Sequence, residues 1–409
     1  MDISNTTLSV SLTSAAVLLP ALALSYFAFN RTMSSTKKID GKKQTIVIVG
    51  GGASGTALAR TLSGKLDPAH YNIVLITSRP RYVFLVASLR LVVDENMPTI
   101  DVLTPYDRLF VKGNGTLKVG TVAGIEESKE GKGGWVVLED GEKVAYDALV
   151  LATGNIWEGP LAFPDGAEEL DEHVSSWRKK FHDAKHVVIG GGGAVGLELA
   201  GEIKDIYPNK KVTIVQGDRL LVNDTYPEKW RRDVERRARA RGIDIILDDY
   251  IDGVPQPGAP VTTRKGTTLD ADLVVPARGG RPNTSFVTTL SPSPLTDRGF
   301  VRVDPTLQVQ GHPSIFATGD ILDWPEIKQI AKTYTQVPII VENLLAYLDG
   351  KTGKKIYKGN PEMIVITNGR NGGAGYIGLL WGITIGDWLS KTLKSKELFV
   401  SKSKGGLGY

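Results

Sequence analysis

The chain alternates short, unbroken apolar runs with stretches in which leucines recur at helical spacing. Ile46-Val47-Ile48-Val49 leads through glycines to Leu58, Leu62 and Leu66; His186-Val187-Val188-Ile189 leads through glycines to the helical stretch 197–203. An unbroken apolar run suits a strand covered on both faces, and the fourfold spacing suits a helix that covers it. A second run follows each helix, 73–76 and 212–215. The pattern predicts an α/β fold with two doubly wound parallel-sheet units. Ahead of them, 8–29 carries no charge, although Ser9, Ser11, Thr13, Ser14 and Pro20 interrupt it. As a helix this stretch is about 33 Å long, enough for a hydrocarbon core.

The two glycine turns carry the first chemistry. Gly50-x-Gly52-x-x-Gly55 joins strand to helix, and Gly191-x-Gly193-x-x-Gly196 repeats it. In each, the first glycine permits the tight turn, the second lets backbone approach a pyrophosphate, and the third lets helix and strand pack closely. Phosphates then meet the free N–H groups and positive dipole end of a helix. The strand after each turn would end in an acid that binds a ribose. Here those positions are Thr77 and Gln216. Arg219 is close enough to Gln216 to be considered for a 2′-phosphate, so NAD and NADP both stay open.

Composition narrows the chemistry. Of 409 residues, 41% are apolar and 23% charged, which is ordinary for a folded chain, and none is cysteine. No disulfide, thiolate-ligated metal or redox dithiol is available. Five histidines without metal-ligand spacing give no metal site. The net charge of +4 is concentrated in the linker 31–43, with Arg31, Lys37, Lys38, Lys42 and Lys43, so the remainder is near neutral and makes no case for nucleic acid. The arginines of 231–241 follow acids at helix spacing, Asp233 before Arg237 and Glu235 before Arg239, as on a solvated helix face. The basic cluster follows the apolar stretch, which predicts a membrane anchor at 1–30 with the bulk on the cytosolic side, in an unassigned organelle. A cleaved signal or a buried helix are the alternatives.

Ala152-Thr153-Gly154 at the end of one apolar strand, and Gly319-Asp320 at the end of another, resemble signatures of flavoprotein reductases with two dinucleotide-binding domains. The resemblance implies FAD, with Asp320 on its ribityl chain. The stretch 274–283, which contains Gly279, resembles the strand and turn that end the nicotinamide domain of those proteins. It implies nested Rossmann-like domains: FAD-binding at 44–160 and 286–345, NAD(P)H-binding at 161–285, and a small α+β domain at 346–409.

The tail, Gly369-Arg370-Asn371-Gly372-Gly373-Ala374-Gly375 with Lys394-Ser395-Lys396-Glu397-Leu398-Phe399-Val400, resembles the C-terminal strand and helix of the ferroptosis-suppressor branch of the apoptosis-inducing-factor-like family. That resemblance implies hydride transfer from NAD(P)H through FAD to a quinone. Glu198 resembles a glutamate that faces the nicotinamide in related reductases, or else is a first-turn acid of its helix. Lys328 is a candidate for positive charge near the flavin or a quinone oxygen. Residues 376–400 offer apolar and aromatic groups followed by lysines, suited to membrane lipid; glycines 378, 382 and 386 equally suit a helix packed on the flavin domain. A homodimer, a soluble electron acceptor and a cell-death effector role remain as alternatives.

Overall fold

The first apolar run forms β1 (Gln44–Val49), which passes through the glycine turn into α1 (Ala53–Lys65). β2 (Tyr71–Thr77) returns parallel to it, from Gln44 against Tyr71 to Val49 against Ile76. β3 (Thr116–Val119) extends the sheet beyond β2. An antiparallel three-stranded sheet, β4 (Val122–Glu127), β5 (Gly134–Leu138) and β6 (Lys143–Tyr146), precedes β7 (Ala148–Leu151), which pairs with the other side of β1. Ile46, Val47, Ile48 and Val150 have no exposed surface, because helices and neighbouring strands cover them on every side.

After α2 (Leu85–Leu91) and α3 (Ala167–Asp183) the second unit is built from β8 (His186–Gly190), α4 (Ala194–Ile206), β9 (Lys211–Val215), α5 (Glu228–Ala240), β10 (Ile243–Ile246) and β11 (Leu273–Pro276). Its four parallel strands lie in the order β10-β9-β8-β11. The chain then returns to the first sheet with β12 (Gln308–Val309) and β13 (His312–Ala317), completing the order β12-β13-β7-β1-β2-β3. α6 (Thr333–Leu348) packs against α1. One unit is therefore inserted into the other, and the two-residue strands Asn155–Ile156 and Arg281–Pro282 pair antiparallel where the chain leaves and re-enters.

The tail forms β14 (Met363–Thr367), β15 (Gly373–Ile377) and β16 (Ile383–Ile385), an antiparallel sheet, followed by helical turns over 387–395 and by α7 (Val400–Leu407). The glycines at 378, 382 and 386 do not form a helix face. Gly378 and Gly382 bracket a hairpin turn, with φ of +86° at Gly382 and +58° at Leu380. Ile383 and Ile385 favour the pleated pairing with β15, so a spacing that suited a helix belongs to a turn.

This computed structural model describes residues 43–253 and 260–409. The membrane helix expected at 1–30 and the linker 31–43, apart from Lys43, lie outside them. Among the described residues no helix is long and apolar enough to cross a membrane.

Candidate active site

The first cradle is shaped by what a methyl group would strike. At Gly50, φ +116°, an added Cβ would lie 2.3 Å from the Ala152 carbonyl oxygen, and at Gly55 it would lie 1.8 Å from the Gly50 carbonyl oxygen. At Gly52 it would meet nothing within 4 Å. The turn is thus closed toward the protein and open on the side where a phosphate would come. Gly52 caps α1 without a side-chain bond, and no acid occupies the helix's first turn, so its N–H groups and positive dipole end face that opening. Thr77 ends β2 buried, accepting the Arg79 N–H at 3.3 Å. The Tyr106 hydroxyl donates to the Gly51 carbonyl at 2.8 Å and fixes the turn from a loop that the sequence pattern does not single out.

Ala152, Thr153 and Gly154 continue β7 beside this turn. The Ala152 N–H bonds the Val49 carbonyl at 2.8 Å, the Thr153 hydroxyl donates to the Asn283 carbonyl at 2.6 Å, and Gly154 accepts the Asn283 N–H at 2.9 Å. The segment therefore ties the cradle to the strand returning from the second unit. Gly319, φ +80°, brings the end of β13 against α1: an added Cβ there would lie 2.8 Å from the Ser54 hydroxyl. Its N–H, with the Thr318 hydroxyl, is accepted by the buried Gln336 amide oxygen, at 2.8 and 2.9 Å.

Asp320 accepts a hydrogen bond from Asn155 Nδ2 at 2.7 Å. Burial raises the pKa of its carboxyl, and Lys328 partly offsets this. Lys328 donates to the Trp324 carbonyl at 2.9 Å and lies over the Phe300 ring, 5.5 Å from its centroid; burial lowers its pKa. A half-buried carboxylate with one neutral amide donor has lone pairs to spare for hydroxyl donors. With the open turn at Gly52, the donor set fits FAD.

The second cradle repeats the first. An added Cβ would lie 2.4 Å from the Ala277 carbonyl oxygen at Gly191 and 2.0 Å from the Gly191 carbonyl oxygen at Gly196, while Gly193 again faces open space. α4 starts at Gly193 with no side-chain cap and no first-turn acid. Gln216 spends its amide oxygen on the Gly192 N–H, 2.7 Å, and its amide nitrogen points to Asp218, 3.2 Å. Arg219, considered for a 2′-phosphate, is paired with Glu228 at 2.9 Å. Gly279, φ +94°, borders a shallow cleft whose walls include Trp157, Glu158, Val195, Leu199 and Arg278.

Glu198 is in the second turn of α4, not the first. Its carboxylate accepts the Lys394 ammonium at 2.6 Å and the Thr367 N–H at 3.1 Å, so the tail domain holds it. One turn on, Glu202 forms a buried bidentate pair with Arg90, whose guanidinium also donates to the Ser395 and Lys396 carbonyls. The arginine run is not uniformly solvated. Arg231 is buried against the carbonyls of Leu220, Leu221 and Val222, whereas Asp233–Arg237 and Glu235–Arg239 form the expected helix pairs. Arg237 and Arg241 reach across to Asp387 and to the Asn368 carbonyl of the tail. Among the described residues no group of three or more acidic or histidine side chains is placed to hold a metal.

Residues that sequence reasoning missed are Tyr106, Asn155, Gln336 and the role of Lys394. Only Asn155, next to Gly154, carried a local signal; the others reach the site from distant segments.

The pyridine nucleotide-disulphide oxidoreductase family matches residues 44–336. The FAD-dependent oxidoreductase FVFD30 of Flammulina velutipes is 47% identical over 75% of this chain and 95% of its own. Ferroptosis suppressor protein 1 of Taeniopygia guttata is 28% identical over 92% of this chain and 99% of its own. The fold is similar to that of the sulfide:quinone oxidoreductase of Aquifex aeolicus, with a TM-score of 0.69, 19% identity, and coverage of 89% of this chain and 92% of that one. The cradles and these matches lead to one conclusion: the chain belongs to the pyridine nucleotide-disulphide oxidoreductase family, as an apoptosis-inducing-factor-like oxidoreductase that uses FAD and NAD(P)H.

Proposed function

We propose that the chain is an FAD-dependent NAD(P)H:quinone oxidoreductase working at a membrane surface. The observation that carries the reading is the pairing of two nucleotide cradles in a chain without cysteine. With no dithiol in the chain, no disulfide stands between donor and acceptor, and the balance is NAD(P)H, a proton and quinone giving NAD(P)⁺ and quinol. When bound, FAD supplies the chemistry that converts a hydride donor into a reductant of quinones. The protein's own groups bind and orient. The α1 and α4 N-termini would hold the two pyrophosphates, Asp320 would take hydroxyl donors of the flavin, and Lys328 places positive charge beside that carboxylate. Glu198 is held by Lys394 on the second unit's side, so the tail domain sets its orientation.

The uncharged stretch 8–29 and the basic residues after it support membrane attachment with the catalytic fold on the cytosolic side. The test is steady-state oxidation of NADH and NADPH by the holoprotein against quinones of increasing tail length. Quinone-dependent turnover that improves with tail length in the presence of lipid is expected. Turnover with a soluble electron-carrier protein but with no quinone would overturn the reading.

A further inference from the structure

Three side chains stand further into solvent than any other large apolar group among the described residues: Trp381 at 96%, Leu380 at 83% and Trp388 at 72% exposure. All three belong to the tail domain. Leu380 and Trp381 form the tip of the β15–β16 hairpin, and Trp388 follows β16 with Leu389 beside it in sequence, also exposed. The base of the hairpin is anchored. Tyr376 packs edge-on against Tyr226, 5.9 Å between ring centres, and Asp387 is held by Arg237 while accepting the Gly373 N–H at 2.9 Å. Leu380 is kept at φ +58°, a left-handed conformation that disfavours a non-glycine residue. Strain of this kind persists where the surroundings enforce it, and it gathers at functional places.

Charge identifies the occupant. Between 376 and 396 the charged residues are Asp387, Lys391, Lys394 and Lys396. Asp387 and Lys394 are consumed by Arg237 and Glu198. Lys391 and Lys396 form no ion pair with an acid among the described residues; Lys396 is exposed, and Lys391 follows Trp388 by three positions. Indole rings next to unpaired lysines match the interface of a bilayer with anionic headgroups. A second copy meeting this face about a twofold axis would bring like charges together.

We propose that the β15–β16 tip is a membrane wedge. Leu380, Trp381 and Trp388 enter the interfacial layer while Lys391 and Lys396 meet the headgroups, a contact separate from residues 1–43. It rests on the membrane setting proposed above and deepens it. The sequence permits a direct test, because all seven tryptophans lie at position 135 or beyond. The full chain, bound to vesicles containing anionic lipid with brominated acyl chains, should show tryptophan quenching. The triple variant Leu380→Ser, Trp381→Ser, Trp388→Ser should lose at least half of it. That variant should keep its flavin absorbance and its turnover with a short, water-soluble quinone.

Absence of quenching in the natural chain, or equal quenching in the triple variant, overturns the proposal. So does light scattering that shows a dimer split by the same substitutions without lipid quenching. A chain that is quenched but reduces no quinone would sink the proposed acceptor and leave the wedge standing.

Discussion

One methyl group separates two kinds of glycine in each cradle. Gly52→Ala places its Cβ in open space, so the unliganded fold should keep its Tm while FAD affinity falls by tenfold or more, measured by flavin titration. Gly55→Ala forces that carbon against the Gly50 carbonyl and should lose about 1–3 kcal/mol in denaturant unfolding. Asp320 makes the opposite trade. Its folded pKa is raised by burial, so the unliganded fold is most stable while the carboxyl is protonated. That stability is lost as pH rises through the folded pKa. Asp320→Asn should therefore raise the Tm of the apoprotein at pH 7, with the gain shrinking toward acid pH, and should weaken FAD binding. The glycine turns were legible because turn chemistry is local, whereas Asp320 was reached only through the resemblance of its Gly-Asp strand end to flavoprotein reductases. The environments of Thr77 and Gln216 were not: Gln216 meets Gly192 only after the strand and turn have folded together.

Elements are held together by groups that sequence reading cannot pair. Arg90, on the short helix Leu85–Leu91, reaches Glu202 of α4 and the Ser395 carbonyl of the tail, partners separated from it by 112 and 305 positions. Glu202→Ala would strand a buried guanidinium and should cost about 3–5 kcal/mol in chemical unfolding. Arg90→Leu with Glu202→Leu should recover much of that loss, because the pair must offset its own desolvation. Strand–turn–helix units were readable because an apolar run, a glycine turn and a helical period occur within thirty or so residues. The hairpin was not, since its identity depends on Ile383–Ile385 finding β15 and not on the spacing of its glycines.

At the scale of the whole molecule, the inserted unit is joined through Asn155–Ile156 and Arg281–Pro282, with Thr153 bonded to Asn283 at the crossing. A ligand that binds only the folded state adds RT ln(1 + [L]/Kd), so FAD at a hundredfold excess over its Kd should add about 2.7 kcal/mol. Stripping FAD should lower the Tm, and restoring it should reverse the change. The nested order could be anticipated from the recurrence of a flavin-type signature after the nicotinamide segment. The tail's grip on Glu198 could not, because Lys394 reads as a surface lysine until the sheet places it.

The central claim is that two backbone cradles in one chain bring a reduced nicotinamide to a flavin. Anaerobic titration of the purified holoprotein with NADH or NADPH, followed by its visible absorbance, tests this most directly. The account predicts a yellow protein bleached by about one equivalent of at least one nucleotide and recoloured by added quinone. A chain that takes up no FAD, or one that stays yellow with both nucleotides, would contradict it.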